Sequence, residues 1–72
     1  SDILRLQIKG DIYKNTDIKI SDITGKTMVQ NAINITQDNQ TTELSTAALI
    51  PGIYFVTLQS GNVTNTLKFV KR

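Results

Sequence analysis

Residues 49–58 read Leu-Ile-Pro-Gly-Ile-Tyr-Phe-Val-Thr-Leu, and residues 66–72 read Thr-Leu-Lys-Phe-Val-Lys-Arg. Aromatic and β-branched residues in such numbers favour strands, and Ser60-Gly61-Asn62 between the two runs reads as a tight turn. We therefore expect strands at 53–59 and 63–71 that form a hairpin. Pro51-Gly52 suits the two central positions of a type II turn leading into the first of them.

The beginning of the chain alternates strictly between apolar and polar residues. Leu4, Leu6 and Ile8 share one face, which is the period of a half-buried strand. This predicts a first strand at 4–9, ended by Gly10-Asp11. Further alternations predict strands at 18–21 and 28–29, and two more within 31–43 on either side of the polar run 37–40.

Two connections carry recognisable turn or cap residues. Residues 22–26 read as a turn that Asp22 caps and in which Gly25 can take a positive φ. Residues 45–49 fit one helical turn with Ser45 as its cap, too short to be an independent helix.

Six or seven short strands without a long helix predict an all-β fold, an immunoglobulin-like antiparallel β-sandwich of about seven short strands. In such sandwiches a tyrosine near the start of the penultimate strand bonds back to the backbone of the preceding corner. Tyr54 stands at that place, so we expect Leu49 and Tyr54 to anchor one end of the core, with Leu67 and Phe69 also inside. The alternative is that Tyr54 is simply a half-buried aromatic in a strand.

The composition narrows the possible functions. With 72 residues the chain makes one small domain with a thin core. The absence of Cys and His excludes disulfides, common zinc sites and the commonest general base. The carboxylates lack the dense spacing of a calcium loop, and the Lys and Arg residues are dispersed rather than gathered for nucleic acid. We expect no catalytic site, metal, cofactor or nucleic-acid partner.

Five groups of residues, taken in order, resemble a known family. They are Asp2-x-Leu4-x-Leu6-x-Ile8, Ile18-x-Ile20-x-Asp22-x-x-Gly25-Lys26-x-x-Val29, Leu44-Ser45, Leu49-x-x-Gly52-x-Tyr54-x-Val56 and Lys68-Phe69-Val70-Lys71. Their order, spacing and position are similar to those of the C-terminal sorting domains of type IX secretion system cargo. That family typically opens with an Asn-Pro pair, which we expect upstream of Ser1-Asp2 in a longer secreted protein.

The resemblance implies that residues 1–72 form a single C-terminal sorting domain that directs its cargo through the outer membrane. The implied partners are the type IX translocon and shuttle proteins of the outer membrane. A sortase-like cysteine protease would cut upstream of the domain and remove it at the surface. The implied location is the periplasm in transit, then the cell surface or the extracellular space.

For recognition by the translocon, the resemblance points to the last strand and to Lys68, Phe69, Val70, Lys71 and Arg72. A receptor could add a strand to its edge, so that backbone bonds give affinity and alternate side chains give selectivity. In the structural alternative Phe69 is core and the cations protect the edge from aggregation. Gly25, Lys26 and Gly52 also carry the family pattern, but turn geometry explains them sufficiently.

The alternative function is an immunoglobulin-like or fibronectin-like binding module for polysaccharide or a partner protein. Carbohydrate sites usually present exposed aromatic residues. The chain has only Tyr13, Tyr54, Phe55 and Phe69, most of which we expect to be buried. An enzyme is the third and weakest hypothesis.

Overall fold

A computed structural model describes residues 2–10 and 13–72. The described residues form six strands and no helix, so the all-β prediction is confirmed. The strands are β1 (Ile3–Lys9), β2 (Asn15–Asp22), β3 (Thr27–Asn34), β4 (Asn39–Ser45), β5 (Gly52–Ser60) and β6 (Val63–Lys71). Consequently no helix in this part of the chain has the length and hydropathy to span a membrane.

The strands form two antiparallel sheets. One contains β1 and β4, and the other has the order β3-β2-β5-β6. Ile8 and Leu44 from the first sheet and Ile18, Ile20 and Val56 from the second belong to one buried cluster. The two inner faces therefore pack on a shared core, as in a sandwich.

The described strands number six rather than about seven because β3 is longer than the sequence indicated. Separate strands were expected at 28–29 and in the first part of 31–43, but Thr27–Asn34 is continuous and pairs with β2, with one register shift between Ile20 and Ser21. Polar Gln30 and Asn31 lie within it, and they are tolerated because β3 is an edge strand with mostly exposed residues.

The connection before β5 differs from both turn predictions made for it. Residues 45–49 form no helical turn, although the Ser45 hydroxyl accepts from the Ala47 N–H at 3.5 Å. The Leu49 N–H donates to the Thr46 carbonyl at 3.0 Å in a tight turn. The predicted type II turn at Pro51-Gly52 is also wrong. Gly52 lacks the positive φ that this turn requires and is the first residue of β5, opposite Lys71.

The predicted hairpin between β5 and β6 is present. Its loop is Gly61-Asn62, and Gly61 has a φ of +57° while Asn62 does not have a positive φ. This is the φ pattern of a type II′ turn, whose twist matches that of the flanking strands. The turn fixes the register in which Tyr54 lies opposite Phe69.

Leu67 was expected in the core but is 54% exposed. It lies opposite Val56, which is fully buried, so it does point to the inner face. The opposing sheet has only two strands against four, and it does not reach far enough to cover this position. One edge of the inner face is therefore left partly open.

Candidate functional site

The predicted recognition strand, β6, is an edge strand. Within the described residues it pairs with β5 alone, so its other side carries unpaired backbone donors and acceptors. Successive side chains point to opposite faces of a strand. Phe69 and Lys71 therefore share the inner face, while Lys68 and Val70 share the outer face.

Lys71 is not the free terminal cation that the sequence suggested. Its side chain is only 9% exposed, and its ammonium donates a hydrogen bond to the backbone carbonyl of Thr46. The Asp2 carboxylate lies 3.9 Å from the same nitrogen. Since Thr46 follows β4 and Asp2 precedes β1, Lys71 connects the two sheets and is occupied within the fold.

Phe69 is also engaged within the fold. Its ring stacks on Tyr54 with centroids 5.6 Å apart and an interplanar angle of 26°. The Tyr54 hydroxyl donates to the Ile50 carbonyl at 2.6 Å, which is the backbone bond expected of a tyrosine corner. Leu49 is buried beside this corner, so Leu49, Tyr54 and Phe69 together fix the start of β5 and the end of β6.

Lys68, Val70 and Arg72 are the accessible members of the predicted recognition set. All three are exposed, and Val70 is 52% exposed despite being apolar. Lys68 lies opposite Phe55 on the outer face, and Arg72 lines a cavity of about 270 Å³ together with Leu4 of β1. A binding partner at this edge would meet these side chains first.

The turn between β2 and β3 contains Gly25 and Lys26. Gly25 has a φ of +91°, and its N–H donates to the Asp22 carbonyl at 3.0 Å. The Asp22 carboxylate accepts from the Thr24 hydroxyl at 2.6 Å and from the backbone N–H groups of Thr24 at 2.9 Å and Lys26 at 3.1 Å. These contacts give Gly25 and Lys26 structural roles.

The same contacts shift the acidity of Asp22. The hydrogen bond from the Thr24 hydroxyl is the largest cause, and the backbone bonds and the Lys26 charge act in the same direction. Together they outweigh desolvation and lower the pKa of the Asp22 carboxyl from its ordinary 3.8. The carboxylate is thus a turn cap held in its charged form.

Metal and glycan sites each have usual features with which the described residues can be compared. Residues 2–10 and 13–72 contain no group of three or more His, Cys, Asp or Glu side chains placed to hold a metal ion. Tyr13 and Tyr54 are buried, and Phe55 and Phe69 are half-buried. An exposed aromatic platform for sugar rings is therefore missing among the four aromatic residues.

A family model described as the secretion system C-terminal sorting domain matches residues 1–72, the whole chain. The chain belongs to this family. No curated protein and no solved structure matches it significantly. Membership identifies the sorting domain as a C-terminal signal of type IX secretion, in a family that is not known to be catalytic. It implies interaction with the type IX machinery and export of the cargo to the cell surface or the extracellular space.

Sequence reasoning missed the residues that hold the end of β6. Thr46 was not singled out and Asp2 was named only as part of the family pattern, although both contact Lys71. The position of Lys71 was predictable from the sequence. Lys71 is two residues after Phe69 in the same strand, so it points to the same face, and a core position for Phe69 places Lys71 on the inner face as well. Its acceptor, 25 residues away, had no local signal.

Proposed function

We propose that this sorting domain is read by the outer-membrane translocon and shuttle proteins of the type IX system through the free edge of β6. This recognition takes place in the periplasm. A sortase-like cysteine protease then cuts upstream of the domain and releases the cargo at the surface.

The observation that carries the proposal is the family match over residues 1–72, taken with the unpaired edge of β6. An edge strand offers a row of unpaired backbone groups to a partner strand. Lys68, Val70 and Arg72 add exposed side chains along it. In this proposal they are the direct contacts, whereas Phe69 and Lys71 position the strand.

The test is an export assay in a host that has a type IX system. A reporter is placed between a signal peptide and residues 1–72, and its amount is measured in periplasmic, surface and medium fractions. We expect surface or medium reporter with the intact domain. The double variant Lys68→Glu with Arg72→Glu should retain the reporter in the periplasm.

Lys26→Glu is the matched control. Lys26 is exposed and lies in the β2–β3 turn, at the same end of the sandwich as Arg72, so its charge reversal is compared with the single variants Lys68→Glu and Arg72→Glu. We expect it to leave export unchanged. Periplasmic retention of the reporter with the intact domain would refute the proposed function, and unchanged export of the double variant would refute the assigned contacts.

A further inference from the structure

The two sheets leave a gap along one side of the sandwich. β1 is an edge of the two-stranded sheet and β6 is an edge of the four-stranded sheet. A cavity lies at each end of this gap, and residues of both β1 and β6 line each of the two cavities. We define the seam as the gap between β1 and β6, lined by Leu4, Ile8, Leu67 and Phe69.

Polar contacts between described residues close the seam at its two ends. At one end Lys71 bonds to Thr46, and at the other the Asn65 side-chain amide donates to the Tyr13 hydroxyl. Between them Leu67 is 54% exposed. The seam is therefore a long apolar strip beside the edge of β6.

The dimensions suit an extended segment. β6 is nine residues long and β1 is seven, and each of the two cavities has a volume of about 270 Å³. A cavity of about 150 Å³ can hold a benzene ring, so each can receive aliphatic side chains. A strand added to β6 would direct alternate side chains into the seam and the others outward.

The charges beside the seam indicate the chemistry of that segment. Lys68 lies on the outer face of β6, and Lys9 lies on the outer face of β1. Within the described residues, Lys9, Lys68 and Arg72 form no ion pair, whereas Arg5 is paired with Glu43 at 2.7 Å. A strand added to β6 extends the four-stranded sheet, so its outward side chains would meet the unpaired charge of Lys68, whereas Lys9 lies on the opposite surface of the sandwich.

We propose that the seam accepts an extended segment of a partner protein in which aliphatic residues alternate with carboxylates. The proposal rests on the proposed function, because it names the chemistry of the partner that reads β6. The aliphatic residues fill the seam and the carboxylates face Lys68. A second copy of this chain is a poorer occupant, since its own β6 would bring the same cations.

Three synthetic peptides of nine residues test the proposal in solution with the 72-residue chain. The first alternates valine with glutamate, the second alternates valine with lysine, and the third has the composition of the first with its valines consecutive. Titrations followed by backbone-amide NMR should show the first peptide shifting signals of β1 and β6. We expect it to bind at least tenfold more tightly than either other peptide, roughly the effect of losing a central contact.

Variants of the chain locate the binding. Leu67→Asp should weaken binding of the first peptide at least tenfold, roughly as for an interface anchor. Ile23→Asp is the matched control, because Ile23 is a 72% exposed aliphatic residue outside the seam. Lys68 is exposed, and Lys68→Glu should shift the preference of the chain toward the lysine peptide. This variant provides a test that does not depend on whether Leu67→Asp folds.

Several results would overturn the proposal. They are equal binding of the glutamate and lysine peptides, signal shifts on β3 rather than on β1 and β6, and concentration-dependent dimerisation through β6 without peptide. Failure to bind while export still depends on Lys68 and Arg72 would refute the seam and leave the proposed function standing. Failure of export with the intact domain would refute the function whatever the peptides do.

Discussion

The ammonium of Lys71 donates a hydrogen bond to the backbone carbonyl of Thr46. Lys71 is the last residue of β6 in the four-stranded sheet, and Thr46 directly follows β4 of the two-stranded sheet. The Lys71 side chain is nearly buried there, with the Asp2 carboxylate 3.9 Å away. A lysine that looked like part of an exposed cationic tip is thus a contact between sheets. Its replacement should act on stability first.

Lys71→Met tests this role. It keeps an unbranched side chain but removes the charged donor to the Thr46 carbonyl, which still accepts from the Leu49 N–H without it. A hydrogen bond from a charged group contributes about 1.5–3 kcal/mol. We expect the free energy of unfolding, measured in urea, to fall by that amount. Lys68→Met, at an exposed position, should change it by less than about 0.5 kcal/mol. Equal effects of the two substitutions would contradict the structural role of Lys71.

Tyr54→Phe tests the corner. The substitution removes the hydroxyl that donates to the Ile50 carbonyl but keeps the ring that stacks on Phe69. A hydrogen bond of this kind contributes about 1 kcal/mol, so we expect a loss of that size in urea unfolding. Tyr54→Leu should cost more because it also removes the ring. A neutral Tyr54→Phe would show that the corner bond contributes nothing.

The corner was predictable from the sequence because it is local. The Tyr54 hydroxyl bonds to a residue four positions earlier, at a recognisable place before a strand. Leu67 was not predictable in the same way, although its alternation with Phe69 gives the correct face. Its exposure depends on how wide the opposing sheet is, and β1 with β4 forms a sheet of only two strands. Sheet width is a property of the assembled chain that no single segment encodes.

The error at Gly52 has a different cause. A Pro-Gly pair is compatible with more than one backbone path, and the pairing of Gly52 with Lys71 decides in favour of an extended one.

The residues that line the seam were each recognised as strand residues. Their juxtaposition follows from the sheet order β3-β2-β5-β6 and from the placement of β1 beside β6, neither of which can be derived from alternation.

Gly52→Ala distinguishes the two backbone conformations. In the extended one a Cβ at Gly52 would meet only the Tyr54 Cε2 atom, at 3.8 Å, which is ordinary contact. We expect the free energy of unfolding to rise by between zero and about 1 kcal/mol, because alanine restricts the unfolded chain. Gly25→Ala is the control, since its φ of +91° should cost about 1–2 kcal/mol. Equal losses at both glycines would restore the turn interpretation of Gly52.

The lowered pKa of Asp22 determines the direction in which the stability of the fold changes with pH. Its pKa is lowered in the folded chain, so the stabilisation that its carboxylate gives is fully present above the ordinary value of 3.8. It is lost as the pH falls through the lowered value. We expect Asp22→Asn to melt below the parent chain at pH 7, with a difference that shrinks as the pH falls below about 3.8.

Asp17→Asn is the matched control for this effect. Asp17 is an exposed carboxylate on β2, away from the turn. Thermal melts of both variants between about pH 2 and pH 7 bracket the ordinary carboxyl value. A difference for Asp22→Asn that grew toward low pH would contradict the capping role.

Gly10→Ala should be the most damaging glycine substitution. A Cβ there would lie 1.9 Å from the Gln37 backbone oxygen and 3.2 Å from Cγ2 of Ile35. Relief would require the loop between β3 and β4 to move, yet the Gly10 N–H is bonded to the Asp38 carbonyl at 2.8 Å in that same loop. We expect a loss of about 3 kcal/mol, the upper end for overpacking, or about 12–24 °C in the melting temperature of a domain of this size. Gly52→Ala, whose Cβ would make only an ordinary contact at 3.8 Å, is the internal control. A Gly10→Ala chain as stable as that control would show that this loop is far less fixed than its contacts imply.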